Sequence, residues 1–289
     1  MPGPLYELVR APAVLTVPGD TLAGALAAGL PLRPAATTAA ASVCLYWAGM
    51  ALNDYADRTV DAHERSHRPV PSGRVRAGTA LTVAVGGTAA GLGLAAASGG
   101  RRSLAVALPL AAAVWAYDLG LKSGPYGPAV MAAARGLDVL LGAAAGGADG
   151  VVRALFPAAV MAAHTAAVTR LSRGEVHGAP AALPRSTLLA TAVVAATTAL
   201  PPRGRGPRSA RAAQLALAGW YAGRFASLQA AAVRKPTAER IRESVGAGIH
   251  AMVPLQAALT ARAGAPLPAI ALSAALPLAR RLARRVSPT

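Results

Sequence analysis

Long apolar runs alternate with short polar segments along all 289 residues of the chain. A helix that crosses a bilayer needs about 20 mostly apolar residues, and several runs approach that length. A further apolar stretch at 266–279 contains three prolines and is short, so we do not count it. The pattern predicts an all-α, multi-span transmembrane bundle of about nine helices, formed by one domain over residues 1–289. The predicted spans are 11–30, 36–52, 78–99, 103–120, 127–148, 152–171, 186–201, 209–232 and 245–264.

The composition supports a membrane protein and argues against a nucleic-acid partner. Hydrophobic residues make up 54% of the chain and charged residues only 14%, whereas a soluble domain has roughly 25% charged residues. The net charge is +17, but the basic residues form short clusters between apolar runs. Such clusters are typical of loops that flank membrane spans, and they do not form the continuous basic surface that nucleic acids require.

The distribution of arginine gives a partial orientation. Basic clusters follow the second, sixth and eighth predicted spans, and these loops share one side of the membrane if the spans alternate. Positive loops are mostly cytoplasmic. We therefore expect an integral protein of a bacterial-type cytoplasmic membrane, with its active site facing the cytoplasm. Clusters at 203–211 and 280–285 fall on the opposite side if there are nine spans.

The acidic residues are concentrated in one short segment. The chain has only 12 acidic residues, and four of them lie between positions 54 and 64. Their spacings of three, four and three residues place them on one face of a helix, and Asn53 adds an amide oxygen to that face. Magnesium prefers such oxygen ligands, with substrate phosphate completing its coordination. The alternative is a solvated helix with salt bridges to nearby arginines. The four acidic residues are Asp54, Asp57, Asp61 and Glu64.

Several motifs together resemble the UbiA superfamily of intramembrane prenyltransferases. The stretch NDYADRTVD at 53–61, followed by HRPVPSGR at 67–74, resembles the first signature of that family. Tyr117 and Lys122, in AYDLGLKSGPYGP, look like the tyrosine and lysine that the family carries after its fourth span. The resemblance continues through RGLD at 135–138 and covers residues 10–180. The segment TRLSRGEVHG at 169–178 resembles the EboC-like branch of the superfamily.

The second acidic signature of the family is incomplete in this chain. The family usually has two aspartates after the sixth span, whereas the segment 169–178 has Glu175 as its single acidic residue. A second Mg²⁺ would therefore be held more weakly, or Arg173 contacts phosphate in its place.

The resemblance implies Mg²⁺-dependent transfer of a prenyl group from a prenyl diphosphate to an acceptor that the sequence does not identify. It implies helices around a central cavity that opens to the cytoplasm and to lipid. Metal and basic groups would stabilise the charge that develops as the carbon–oxygen bond breaks. The implied catalytic residues are Asp54, Asp57, Asp61 and Lys122. The implied Mg²⁺ ligands are Asn53, Asp54, Asp57, Asp61 and Glu175, and the implied substrate-binding residues are Asn53, Arg68, Tyr117, Arg135, Arg173 and Glu175.

Some of these residues have simpler explanations. Lys122 can be a cytoplasmic anchor that extends toward the membrane surface, and Arg68 can be an ordinary arginine of a cytoplasmic loop. Arg135 and Asp138 lie three residues apart in an apolar run, so they either pair with each other or reach into the cavity. Asp118 lies at the end of a predicted span and fits either a structural or a functional role.

Two other functions compete with prenyl transfer. A CDP-alcohol phosphotransferase is also built on aspartates, but its longer signature of aspartate, glycine and arginine is not visible in this sequence. A carrier or transport component for polyprenyl lipids would bind its ligand without reaction. Turnover of a prenyl diphosphate distinguishes the enzyme from the carrier.

Overall fold

The computed structural model describes residues 3–10, 17–202 and 207–274. All the regular secondary structure in these ranges is helical, which confirms the all-α prediction, and the eleven complete α-helices are roughly consistent with the predicted number of about nine. Short 3₁₀ turns occur at Leu121–Ser123 and Ala144–Gly146, and the chain is helical again over 266–274. The helices are α1 Pro4–Leu8, α2 Pro18–Ala27, α3 Leu32–Ala56, α4 Arg58–Glu64, α5 Ala77–Gly99, α6 Arg101–Leu119, α7 Gly127–Ala143, α8 Gly147–Ser172, α9 Ala182–Ala199, α10 Arg208–Arg234 and α11 Ala238–Arg262.

Four helical stretches are long and apolar enough to cross a membrane, judged by length and composition. The other helices among the described residues are shorter or less apolar, so the count of nine spans stays a prediction. The fourth stretch contains both α7 and α8, which meet at a turn where Gly147 has a φ of 68°. The four stretches are Leu32–Ala56, Ala77–Gly99, Arg101–Leu119 and Gly127–Ser172.

The predicted first span at 11–30 lies only partly within the described residues, and its described part forms a short helix. Residues 11–16 lie outside the described residues, and α2 has only ten residues, which corresponds to about 15 Å of helix. That length is half of what a bilayer requires. The helix instead lies inside the bundle, where it packs against α3, α7, α8 and α11. Its apolar residues are explained by contact with other helices and not by contact with lipid.

Glycines allow α2 to lie directly against α7. A Cβ atom added to Gly24 would lie 1.8 Å from the backbone oxygen of Val139, and one added to Gly142 would lie 2.0 Å from the backbone oxygen of Thr21. The two backbones are therefore in contact, an approach that small residues permit between membrane helices. This contact brings α2 to the inner face of α7.

We expect Gly24→Ala to destabilise the protein by about 2 kcal/mol, because a methyl group cannot be placed so close to a backbone carbonyl without moving α2. Thermal unfolding in detergent measures the effect. Gly86→Ala is the matched control, since a Cβ atom there meets nothing within 4 Å. Equal unfolding temperatures for the two variants would contradict this account of the α2–α7 contact.

One end of the bundle carries the loops that matter for function. At this end the α3–α4 junction, the α6–α7 loop and the α8–α9 loop come together. Lys122 of the α6–α7 loop contacts Asp57 at the junction, and Arg173 at the start of the α8–α9 loop contacts Gly124. The first acidic motif and the 169–178 segment therefore lie at the same end, as even alternation of the intervening helices requires.

Candidate active site

The first acidic motif spans two helices and does not lie on one continuous helix. Helix α3 ends at Ala56, Asp57 is the junction residue, and α4 begins at Arg58. Backbone hydrogen bonds cross the junction, from Asp57 N to Asn53 O and from Asp61 N to Asp57 O. The motif thus lies on two consecutive helices and not on one, but the helical hydrogen-bond pattern continues through Asp57, and Asp54 and Asp61 both face Arg68. Asp54 and Asp61 are buried, whereas Glu64 is exposed to solvent.

Asp57 belongs to a cluster at the mouth of a cavity. Its Oδ1 lies 2.6 Å from the Nζ of Lys122, and its Oδ2 accepts a hydrogen bond of 3.3 Å from Asn53 Nδ2. The same amide nitrogen donates to Asp118 Oδ1 at 3.1 Å. Asn53 therefore orients its amide nitrogen, and not its predicted oxygen, toward the two carboxylates. Asp118 is a site residue whose role the sequence left open.

Asp54 and Asp61 converge on one arginine. Arg68 Nη1 lies 2.6 Å from Asp61 Oδ2 and 3.4 Å from Asp54 Oδ1. Asp61 has a second partner in Arg65 at 3.2 Å, and Asp54 has one in Arg10 at 3.5 Å. Sequence reasoning missed Arg10, which reaches the site from the N-terminal segment, and nothing in the local pattern around it indicates this contact.

The donors of the first motif fit a divalent cation. Among the residues that the structure describes, no three carboxylate, imidazole or thiol side chains form a ready metal site. However, oxygens of Asp54 and Asp61 converge on a single guanidinium nitrogen, so both already face one centre of positive charge. Carboxylates of this kind are the ligands that Mg²⁺ prefers, with substrate phosphate beside them. Magnesium itself stays a prediction.

The second loop supports the mouth from the opposite side. Arg173 Nη2 donates hydrogen bonds to the backbone oxygens of Gly124 at 2.6 Å and Pro125 at 3.5 Å. It therefore holds the loop that carries Lys122, and a direct contact with phosphate stays a prediction. Burial raises the pKa of Glu175, while the guanidinium groups of Arg242 and Arg65 lower it. Because Arg65 also contacts Asp61, Glu175 lies electrostatically close to the first motif.

A cavity of about 330 Å³ extends from this mouth into the bundle between α3, α6 and α7. Its outer end is lined by Arg10, Asn53, Tyr117 and Asp118. Its middle is mostly apolar, and the residues that line it include Leu45, Met50, Leu110, Val114 and Met131. The predicted binding residue Tyr117 therefore faces the cavity. A mouth of charged groups above apolar walls fits a ligand with a charged head group and an apolar body.

The inner end of the cavity is polar again, and Arg135 lies there with an unexpected partner. Arg135 Nη1 contacts Asp20 Oδ2 of α2 at 2.5 Å, and so does not pair with Asp138. The Oδ2 of Asp138 instead accepts a hydrogen bond of 2.8 Å from Ser42 Oγ. Arg135, Asp138 and Ser42 all line the cavity.

The fold and the site define an integral membrane protein that encloses an apolar cavity with a charged mouth. The chain belongs to the UbiA prenyltransferase family, because the sequence model of that family matches residues 14–229. This finding confirms the family resemblance seen in the sequence, while the EboC-like branch stays a prediction.

Individual relatives agree with the family. A region of 132 residues is 39% identical to the digeranylgeranylglyceryl phosphate synthase of Methanopyrus kandleri, over 45% of this chain and 46% of the relative. The match therefore spans less than half the length of that relative. An apo structure of a UbiA homologue from Aeropyrum pernix K1 covers 85% of this chain and 96% of its own, with a TM-score of 0.64 and 22% identity.

A second solved structure shows the same likeness of fold. The structure is described as that of digeranylgeranylglyceryl phosphate synthase in membranes, and it matches 90% of this chain and 97% of its own. The TM-score is 0.61 and the identity is 17%. At these identities the two structures support the helical architecture and carry no information about the substrate.

Proposed function

We propose that this protein transfers a prenyl group from a prenyl diphosphate to an acceptor within the membrane, in a Mg²⁺-dependent reaction. One observation carries the proposal. The charged mouth pairs carboxylates with basic side chains, as in the 2.6 Å contact between Lys122 and Asp57, directly above an apolar cavity. Carboxylates suit a metal that binds diphosphate, basic groups suit the diphosphate itself, and apolar walls suit isoprenoid chemistry.

The residues of the mouth have separate tasks in this reaction. Asp54 and Asp61, with Asp57 nearby, would hold Mg²⁺, and the metal would supply positive charge that neutralises the diphosphate. Lys122 and Arg68, which contact these carboxylates, would hold phosphate oxygens through charge-assisted hydrogen bonds. Stabilising charge where it develops in the transition state is usually the largest contribution to catalysis.

The remaining groups protect and position the reacting carbon. The apolar residues of the cavity exclude water from an allylic cation that water would otherwise consume. Asn53 keeps the Asp57 and Asp118 carboxylates at a fixed separation through its two hydrogen bonds. The acceptor's nucleophile then attacks the prenyl carbon as its bond to the diphosphate oxygen breaks, and the acceptor loses a proton.

The arginines around the mouth indicate which side of the membrane this end of the bundle faces. Arg65, Arg68, Arg74 and Arg173 all lie in the loops around the mouth, and cytoplasmic loops are enriched in such residues. We therefore place the mouth at the cytoplasmic face of a bacterial-type cytoplasmic membrane, with the site carried by one domain over residues 1–289.

The direct test uses the purified chain in lipid nanodiscs with radiolabelled geranylgeranyl diphosphate and a lipid extract as the source of acceptors. Labelled product and free diphosphate should appear with Mg²⁺ and should disappear when EDTA is added. Binding without release of diphosphate would indicate a carrier. Release of CMP from a CDP-alcohol, with no use of the prenyl diphosphate, would indicate a phosphotransferase.

Glu175→Gln should reduce prenyl-diphosphate binding by about threefold to tenfold, less than any change at Asp57. The substitution removes one charge near Arg65 and leaves the first motif intact, so the expected loss is that of one partly exposed interaction. Calorimetry with and without Mg²⁺ measures it. A loss of binding as complete as that of an Asp57 variant would show that the second loop supplies an indispensable ligand.

A further inference from the structure

We infer that the inner end of the cavity is an acceptor subsite, built to receive a hydroxyl group at the end of the acceptor that lies far from the reacting atom. This inference rests on the proposed function and concerns the class of acceptor. Four residues, called the floor cluster below, form this subsite. They are Asp20, Ser42, Arg135 and Asp138.

The first observation is an oxygen without a partner. Asp138 is 7% exposed, and its Oδ2 accepts the hydroxyl of Ser42. Its Oδ1 is buried and has no hydrogen-bond partner among the described residues, although Asp138 lines the cavity. A buried carboxylate oxygen without a partner is costly. The contact with Ser42 explains how Asp138 ties α7 to α3, but it leaves the second oxygen available to a ligand.

The second observation is the charge of the floor cluster. Arg135 is the single basic residue in the cluster. Its Nη1 forms an ion pair with Asp20 Oδ2 at 2.5 Å. Asp20 also accepts a hydrogen bond of 2.9 Å from the amide of Gln256. Two carboxylates and one guanidinium leave one excess negative charge when both acids are ionised. In that state a ligand that donates a hydrogen bond is favoured at Asp138, and an anionic group is repelled.

The third observation is the distance between the two ends of the cavity. Asn53 at the mouth and Ser42 at the floor both belong to α3, and their separation along the helix axis is about 16 Å. The diphosphate binds at the mouth, so Asp138 is too distant to act on the reacting carbon. It is a residue that determines specificity, and it contacts the remote end of an elongated acceptor.

The prenyl chain is a poor occupant of this inner end. A hydrocarbon tail offers no hydrogen-bond donor, so it would leave Asp138 Oδ1 without water and without a partner. The apolar middle of the cavity suits the body of an acceptor with a polar end. The structure thus assigns the polar inner end of the cavity to the acceptor, while its apolar walls also suit the prenyl chain near the mouth.

Three probes of equal chain length test the inference by calorimetry on the full protein with Mg²⁺ and an unreactive prenyl thiodiphosphate. They are a straight-chain alcohol, the matching α,ω-diol and the matching ω-hydroxy carboxylate. We expect the diol to bind about tenfold more tightly than the alcohol, because its second hydroxyl forms a hydrogen bond with the otherwise unpartnered Asp138 Oδ1. The hydroxy carboxylate should bind more weakly than the alcohol.

Variants separate specificity from structure. In Asp138→Ala the affinity for the diol should be within about twofold of the affinity for the alcohol. In Asp138→Asn the diol should keep part of its advantage, while discrimination against the carboxylate is lost because the floor becomes neutral. Ser42→Ala removes the hydrogen bond between α3 and α7 but leaves Asp138 Oδ1 in place. The ranking of the three probes by affinity should therefore persist. Asp149→Asn, on an exposed turn of α8, is the matched control.

Two outcomes would overturn the inference: equal or undetectable binding of the three probes to the unmodified protein, or parallel weakening of all three in the Asp138 variants. The latter result would indicate a purely structural role. Failure of the thiodiphosphate to bind, with the expected order of probes retained, would instead refute the proposed function and leave the subsite standing.

Discussion

Replacing Asp57 by asparagine is expected to lower Mg²⁺-dependent prenyl transfer by about 100-fold or more, the scale seen when one preorganised charge-stabilising group is removed. The side chain keeps its shape but loses its negative charge. It then no longer attracts the metal, and it no longer fixes Lys122, whose Nζ lies 2.6 Å from Asp57 Oδ1. Initial rates with radiolabelled prenyl diphosphate across a Mg²⁺ series measure the change.

Asp149→Asn is again the matched control for the Asp57 variant, since Asp149 is exposed in the first turn of α8. It makes the same chemical substitution away from the cavity and should keep its full rate. Circular dichroism should show the same helical content in both variants. A fully active Asp57→Asn enzyme with an unchanged Mg²⁺ requirement would remove this residue from the metal site.

Arg68→Gln is expected to destabilise the metal-free protein by about 3 kcal/mol, near the lower end for breaking a buried ion pair. The substitution leaves Asp54 and Asp61 without their shared cation, and both carboxylates are buried. Arg10 and Arg65 still compensate part of the charge, which is why we expect the lower end of the range. Unfolding in detergent with EDTA measures this loss.

Magnesium should restore part of that stability, because a divalent cation between Asp54 and Asp61 replaces the missing guanidinium and binds the folded state alone. The unfolding temperature of Arg68→Gln should therefore rise more with Mg²⁺ than that of the unmodified protein. Arg74→Gln is the control, since Arg74 forms an exposed pair with Glu7 that contributes about 1 kcal/mol or less. If Mg²⁺ raises the unfolding temperatures of Arg68→Gln and of the unmodified protein by the same amount, metal binding at the Arg68 position is excluded.

Much of the candidate site can be recognised from the sequence, because its residues are rare and closely spaced. Charged side chains are costly within apolar segments and mark functional positions there. That cost draws attention to Asp54, Asp57 and Asp61, and Lys122 stands out because it lies in a short stretch that resembles the family pattern. The structure places these four residues around one cavity mouth.

The interruption of the first motif is not visible in its spacing. Positions three and four residues apart indicate one helical face, whereas in the structure Asp57 lies between α3 and α4 and its side chain contacts Asn53 and Lys122. Lys122 comes from the loop between α6 and α7, so its contact with Asp57 exists only in the tertiary structure. The same is true of Arg10, which reaches Asp54 from the N-terminal segment.

The sequence by itself determined the fold class, the family and the acidic half of the mouth, since apolar run length and local charge spacing are properties of neighbouring residues. Only the tertiary structure decided that α2 is a short interior helix and that Arg135 pairs with Asp20. Those two residues are 115 positions apart, and Ala- and Gly-rich helices have no periodic pattern that says which neighbour each will meet. Their partners are selected by close backbone contacts such as Gly24 against Val139, which exist only after the helices have packed.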